Sequence, residues 1–174
     1  MKGYLDKTIL DIGNRIKTID MIKNLKKDRC DLLLQGNYWG HLAFTGHSSP
    51  YALPITYYYD KKNNYIISTS GEGHKIDCLR ENKLVSLNVS EVVSVNNWSS
   101  VLVHGEYEEL KGIDAKYQLH QFVQGIKRII AENEKSDLRF IRDFSSSIKP
   151  DAIAVVYKIR IKEMTGKYRI PDPG

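Results

Sequence analysis

Alternating apolar and polar residues predict that this chain is built mainly from β-strands. Leu84 to Val92 alternates in this way, which is typical of a strand with one buried face. The pattern returns from Ser99 to Leu110, and Tyr38 to Thr45 also reads as a strand. Asp151 to Met164 is a final long strand. Polar or glycine-containing segments separate these runs, so the pattern favours antiparallel strands that follow one another along the chain.

The strongest local signal is a hairpin from Pro50 to Ile67. Two runs rich in β-branched and aromatic residues flank the polar turn Asp60 to Asn64. The hairpin brings the predicted total to six strands of antiparallel character. Closure into a small barrel would remove the exposed edges that so many strands otherwise leave.

Helical spacing of apolar residues predicts four helices. Thr18 can cap a helix that runs from Ile19 to about Leu25, and a short helical piece is predicted around Asp31 to Leu34. A third helix runs from Gly73 or His74 to about Glu81. The longest opens at Gly112 and ends near Ala131, before the last strand.

Length and composition place these elements in one domain that spans residues 1–174, with residues 1–17 as an N-terminal arm. The 41% hydrophobic and 27% charged fractions are those of an ordinary globular protein. No window of the sequence approaches the ~18 apolar residues that a membrane span needs. We therefore expect a cytoplasmic protein.

Charge and cysteine content give little support to a nucleic-acid-binding or a metal-binding function. The net charge of +5 is spread along the chain, and its one basic cluster, Lys23 to Arg29, is interrupted by Leu25 and Asp28, which favours a solvated helix face over a nucleic-acid surface. Cys30 and Cys78 both lie in periodic apolar segments, so we expect buried free thiols and no metal site.

The end of the hairpin carries the clearest candidate chemistry. Its second run finishes with the hydroxyl residues Ser68 to Ser70, which are followed by Gly71 to Gly73 and then by His74 and Lys75 at the start of the predicted helix. Hydroxyl groups, flexible backbone, a helix N-terminus and a cation together bind anions well. The pattern therefore predicts a site for a phosphate-bearing cofactor.

Five segments in order give the chain a resemblance to a known family. They are Gly40 to Phe44, Pro50 to Pro54, Ser68 to Lys75, Trp98 to Gly105 and Thr165 to Lys167. With these segments the chain resembles the pyridoxamine 5'-phosphate oxidase-like FMN-binding split barrels, and most of all the branch with the nitroimidazole-reductase-type proteins. The resemblance covers roughly residues 19–167.

The resemblance implies a six-stranded antiparallel split β-barrel that forms a homodimer, with FMN in a groove at the subunit interface. The implied FMN contacts are the backbone of Leu53, Pro54, Ile55 and Thr56 along the isoalloxazine edge, Ser68 and Thr69 near the ribityl phosphate, His74 and Lys75 as the cationic partners of that phosphate, and Ser100 on a later strand. No metal and no catalytic side chain are implied.

The implied function is an FMN-dependent oxidoreductase that passes electrons from NADH or NADPH to a small oxidised acceptor such as a nitroaromatic. The alternative is a non-catalytic flavin- or haem-binding module of the same fold. Members of the nitroimidazole branch often carry His where this chain has Ser68, so we expect slow nitroimidazole reduction. Met164 and Pro171 replace a Trp and a His of the true pyridoxamine phosphate oxidases, which leaves the substrate open.

Overall fold

The computed structural model describes residues 22–133 and 155–171. Within these ranges the elements are β1 (Ile22–Asn24), α1 (Lys27–Gly36), β2 (Trp39–Gly46), β3 (Ser49–Asp60), β4 (Tyr65–Ser70), α2 (His74–Glu81), β5 (Leu84–Ser94), β6 (Asn97–Glu109), α3 (Gly112–Asn133) and β7 (Val155–Arg169). The predicted arm, residues 1–17, lies outside the described residues, as do residues 151–154 of the predicted last strand.

The sheet closes into a barrel because β7 pairs with both β4 and β6, which joins the two ends of the row of strands. β7 pairs with β4 through Val155–Arg160 and with β6 through Tyr157–Arg169. The other antiparallel pairs are β4 with β3, β3 with β2, β2 with β5, and β5 with β6. The predicted antiparallel barrel is confirmed, and its ring consists of the six strands that the sequence pattern predicted.

A seventh strand among the described residues corrects the strand count and one helix. Ile22–Asn24, predicted to be helical, instead pairs with Lys167–Arg169 at the end of β7. All three β1 residues are exposed, so no buried apolar face supports a helix here. The free edge of β7 offers backbone hydrogen bonds instead, and the amide of Leu25 continues them with a 2.9 Å bond to the carbonyl of Gly166.

Aromatic residues of β3 separate the inside of the barrel from its covered outer face. Tyr57 and Tyr59 are buried in the barrel core, whereas Tyr58 points outward and packs under α3. The ring of Tyr58 lies so close to α3 that a Cβ at Gly125 would be 2.2 Å from its Cδ2. On β4 the consecutive residues Ile66 and Ile67 are both fully buried, one on each face of the sheet.

Helix α1 contributes to the barrel core and is longer than the predicted segment Asp31 to Leu34. Its residues Cys30, Leu33 and Leu34 belong to the core. The hydroxyl of Tyr57 donates a 3.0 Å hydrogen bond to the carbonyl of Leu34. This contact fixes the helix to the inner face of β3.

Candidate functional site

The barrel is split along one edge of β3. Over Ser49–Thr56 this strand pairs with β2, where Trp39 faces Thr56 and Leu42 faces Leu53. On its other edge, pairing with β4 begins only at Tyr57, opposite Ser68. Among the described strands, none occupies that edge from Ser49 to Thr56. The predicted backbone contacts of Leu53, Pro54, Ile55 and Thr56 therefore lie in a stretch whose outward N–H and C=O groups have no strand partner.

The chain crosses this split as it passes from β4 into α2. Continuing the β3–β4 register places Thr69, which is half-buried, opposite Thr56. Helix α2 begins after Gly73, whose φ of 143° is readily adopted only by glycine. The amides of Ile76 and Asp77 both bond to the carbonyl of Gly73, so the N–H groups of the preceding first turn have no acceptor within the helix. This arrangement creates a local surplus of donors beside the split.

Lys75 adds a positive charge to the start of α2. The residue is half-buried, and burial lowers the pKa of its ammonium group. No carboxylate in residues 22–133 and 155–171 forms an ion pair with it. A partly desolvated cation without an internal counter-charge favours an external anion.

The acidic residue beside this site is neutralised by the protein itself. Both carboxylate oxygens of Glu72 accept hydrogen bonds from Arg80, at 2.8 and 2.9 Å, and these bonds lower the pKa of Glu72. Arg80 also binds Glu109 at the end of β6, at 2.7 and 3.1 Å. The arginine thus ties the loop before α2 to the barrel and compensates a negative charge that would repel a phosphate.

The hydroxyl groups of Ser68 and Ser100 both have hydrogen-bond partners within the protein. The hydroxyl of Ser68 is fully buried and donates a 2.8 Å hydrogen bond to the carbonyl of Thr56, so contact between this hydroxyl and a phosphate would require that bond to break. Ser100 lies on β6, which β2 and β5 separate from β3. Its hydroxyl accepts hydrogen bonds from Asn88 and Ser90, at 2.9 and 2.8 Å. Within one chain, the structure does not bring Ser100 to Lys75.

His74 faces a different group of side chains. Its ring stacks on that of His47, with centroids 5.2 Å apart, and meets the ring of Tyr51 edge-on at 5.0 Å. The Sγ of Cys78 lies 3.6 Å from Nε2 of His74 and 3.9 Å from Nδ1 of His47. Burial, together with the carboxylates of Glu81 and Asp77, raises the pKa of the Cys78 thiol. His74 and Cys78 are four residues apart on one helix, so their shared face could be read from the sequence, whereas the contact with His47 could not.

The family model described as pyridoxamine 5'-phosphate oxidase matches residues 26–168. The chain belongs to this family. An uncharacterised protein of Rhizobium meliloti is 25% identical over 146 residues, which cover 84% of this chain and 94% of the relative.

Two solved structures have a fold similar to that of this chain. An FAD-binding protein from Mesorhizobium loti is 28% identical, with a TM-score of 0.65 over 85% of this chain and 98% of that one. A 5-nitroimidazole antibiotic resistance protein from Bacteroides thetaiotaomicron has a TM-score of 0.58 at 22% identity, over 84% of this chain and 88% of its own, and supports the fold alone. The predicted resemblance to the pyridoxamine 5'-phosphate oxidase-like split barrels is confirmed.

A cavity lies outside the predicted site of this family member. A cavity of about 410 Å³ opens beside β2, β5 and β6, and none of the predicted cofactor contacts lines it. Its lining includes Tyr51, Ser86, His104 and Lys162, and Nδ1 of His104 lies 2.7 Å from the hydroxyl of Ser86. Tyr51 contributes to this cavity and also contacts His74.

The structure also bears on the two cysteines and on membrane insertion. Cys30 and Cys78 are both buried free thiols, as predicted. In the described part of the chain, no helix combines the length and hydropathy needed to cross a lipid bilayer.

Proposed function

We propose that this family member is a flavoprotein that binds FMN at the split between β3 and the start of α2. The observation that carries the proposal is the open backbone edge of β3 next to the start of α2, where the ring of His74 meets that of Tyr51 on β3. The next residue, Lys75, is half-buried and forms no ion pair with any described residue. Family membership supports it, as does the flavin-binding relative in Mesorhizobium loti. The donor set fits FMN, because its phosphate needs cationic and N–H donors while its ring edge needs backbone groups.

Each part of the split has a separate binding task. Lys75, the hydroxyl of Thr69 and the first-turn amides of α2 hold the phosphate. The backbone of Leu53–Thr56 orients the polar edge of the ring. Apart from the Thr56 carbonyl, which accepts from Ser68, its outward hydrogen-bonding groups have no partner among the described strands. Pro54 has no N–H, so its position on this edge contributes only an acceptor.

A homodimer provides the remaining walls of the site. Three exposed apolar side chains cluster at the β5–β6 hairpin, where Val92, Val93 and Val95 are 72%, 79% and 79% exposed. Exposed apolar clusters of this kind mark association surfaces. Ser100, which lies on the same hairpin but far from Lys75 in one chain, would contact the flavin bound by the partner subunit.

The proposed activity is electron transfer from NADH or NADPH to a small oxidised acceptor such as a nitroaromatic. Bound FMN would supply the redox chemistry, and the protein would supply position and electrostatics. No side chain is assigned a proton-transfer role. Because the hydroxyl of Ser68 has no pKa near neutrality and donates to Thr56, it is a poor general acid. Nitroimidazole reduction is therefore expected to be slow.

Absorbance of the purified full-length protein tests the proposal. A flavin spectrum, release of FMN on denaturation and anaerobic bleaching by NADH or NADPH, followed by reoxidation with a nitroaromatic, would support the oxidoreductase. Bound flavin that no nicotinamide reduces would favour the non-catalytic module, and a Soret band would favour haem. Failure to bind FMN at micromolar concentration would refute the flavin site.

A further inference from the structure

We propose that His47, His74 and Cys78 form a binding site for a zinc ion with an open fourth position. The site is distinct from the proposed flavin site and does not depend on it. Their candidate ligand atoms, two imidazole nitrogens and one sulfur, all lie within 4.8 Å of one another. Imidazole nitrogen and cysteine sulfur are the ligands that zinc prefers in proteins.

The distances match the size of a zinc centre. Zinc binds sulfur at about 2.3 Å and imidazole nitrogen at about 2.0–2.1 Å, so a tetrahedral angle at the metal separates the two ligand atoms by about 3.6 Å. Sγ of Cys78 lies 3.6 Å from Nε2 of His74 and 3.9 Å from Nδ1 of His47. The first separation equals the tetrahedral value and the second slightly exceeds it. Both histidine side chains are exposed, so their rings have room to rotate toward a shared ion.

Two elements of the barrel hold the three ligands in place. His74 and Cys78 are four residues apart on α2 and therefore share one helix face. His47 comes from the tight turn between β2 and β3, where its φ is 48° and that of Ser48 is 64°. The preceding Gly46 allows the turn to approach the helix, because a Cβ at this position would be 2.2 Å from Sγ of Cys78.

The exposure of the ligands supports a site that is loaded from solvent. Cys78 is fully buried beneath two exposed histidines, so the sulfur lies at the base of the site and the imidazoles at its mouth. Three protein ligands leave the fourth position to water or a small ligand, which is the arrangement of catalytic rather than structural zinc sites. The ion would also fix the β2–β3 turn to the start of α2, one residue from Lys75.

His74 has two competing assignments, and its geometry favours the metal. The resemblance implies that it is a cationic partner of a phosphate, but a metal-bound imidazole is neutral and directs a lone pair at the ion. In the structure, its ring faces His47 and Cys78. Lys75, in contrast, has no such partner in the described part of the chain and remains the phosphate cation.

Cobalt substitution tests the site directly. Full-length protein without a tag is reduced and freed of metal with a chelator. It is then titrated anaerobically with Co²⁺ and afterwards with Zn²⁺, and the absorbance difference spectrum is recorded at each step. We expect one Co²⁺ per chain, a thiolate-to-cobalt charge-transfer band with tetrahedral ligand-field bands, and loss of both on addition of zinc. Absence of the charge-transfer band would overturn the proposal. So would a Co²⁺ titration that does not saturate at one ion per chain.

Matched variants identify the ligands without disturbing the fold. His47→Asn suits the left-handed turn conformation but removes the imidazole, whereas Ser48→Asn changes the same turn and keeps all ligands. Loss of a residue that only hydrogen-bonds to a metal ligand costs about 10–100-fold in metal affinity, so loss of a ligand itself should cost at least about a hundredfold. We expect that loss in His47→Asn and His74→Ala, and no loss in Ser48→Asn.

Cysteine variants and FMN titration complete the test. Cys78→Ala should abolish the charge-transfer band, and Cys30→Ala should retain it. Equal cobalt affinity in His47→Asn and wild type would refute the three-ligand site. If His74→Ala weakens FMN binding but leaves cobalt binding unchanged, His74 serves the phosphate and the metal proposal fails. The metal readout is independent of flavin, so failure of either proposal is recognised separately.

Discussion

The hydroxyl of Tyr59 donates a 2.9 Å hydrogen bond to the carboxylate of Asp31, which is 1% exposed. The same carboxylate lies 3.3 Å from the ammonium group of Lys61 and 3.4 Å from that of Lys27. Burial alone would raise the pKa of Asp31, but the hydrogen bonds and the two lysines overcome this effect and lower it. This contact ties α1 to the β3–β4 hairpin by charge as well as by packing.

Asp31→Asn should lower the free energy of unfolding at pH 7 by about 2 kcal/mol, since hydrogen bonds to a charged group are lost. The folded-state pKa is below the unfolded value of about 3.9, so the contribution is present above that pH and disappears as the pH falls through the folded pKa. Urea unfolding measured from pH 7 down to about pH 2 should therefore show a gap between the two proteins that is constant above about pH 4 and narrows below it. Asp28→Asn, an exposed change on the same helix, is the control, and a pH-independent gap would contradict the assignment.

Lys75→Ala should weaken FMN binding by roughly ten- to a hundredfold, because a charge-assisted contact contributes about 1.5–3 kcal/mol. Thermal unfolding of the flavin-free variant should be close to that of wild type, since Lys75 makes no ion pair among the described residues. Fluorescence titration with FMN measures the affinity. Lys83→Ala, an exposed lysine just beyond α2, should bind like wild type. Unchanged affinity in Lys75→Ala would place the phosphate elsewhere.

Gly125→Ala should destabilise the protein, although alanine normally stabilises a helix interior by about 1 kcal/mol relative to glycine. The added methyl group would lie 2.2–2.3 Å from ring atoms of Tyr58, and overpacking of this kind costs about 1–3 kcal/mol. Urea denaturation gives the sign of the change. Gly36→Ala, where nothing lies within 4 Å of the new Cβ, should cause no loss of stability. A stabilised Gly125→Ala variant would show that α3 can move off the barrel.

Val93→Asp combined with Val95→Asp should convert the proposed homodimer into monomers and weaken FMN binding at the same time. Both side chains are 79% exposed in one chain, so the substitutions should leave the fold of the subunit intact. Sedimentation velocity with detection at a flavin wavelength reports mass and cofactor together. Gln35→Glu combined with Gln124→Glu adds the same two negative charges at exposed helix positions and is the control. A wild-type monomer that holds FMN fully would exclude a site shared between subunits.

Local pattern alone determined most of the secondary structure. The alternation of Leu84 to Val92 and the two runs around Asp60 to Asn64 predicted β5 and the β3–β4 hairpin, because strand periodicity and turn chemistry act over a few residues. Helix α2 was predicted to within one residue at its start, since Gly73 and Asn82 bound a short amphipathic segment. The family resemblance then predicted the split barrel, and the match of the family model to residues 26–168 confirms that resemblance.

Only the tertiary structure decided where long-range neighbours lie. Ile22–Asn24 became a strand because β7 offered a free edge 143 residues away in the chain, as in the contact between Asn24 and Lys167. Ser68 has a sequence context like that of Thr69, but the closure of the barrel directs its hydroxyl inward to Thr56. His47 and Cys78 meet because Gly46 lets a turn approach a helix, and no local pattern encodes that approach.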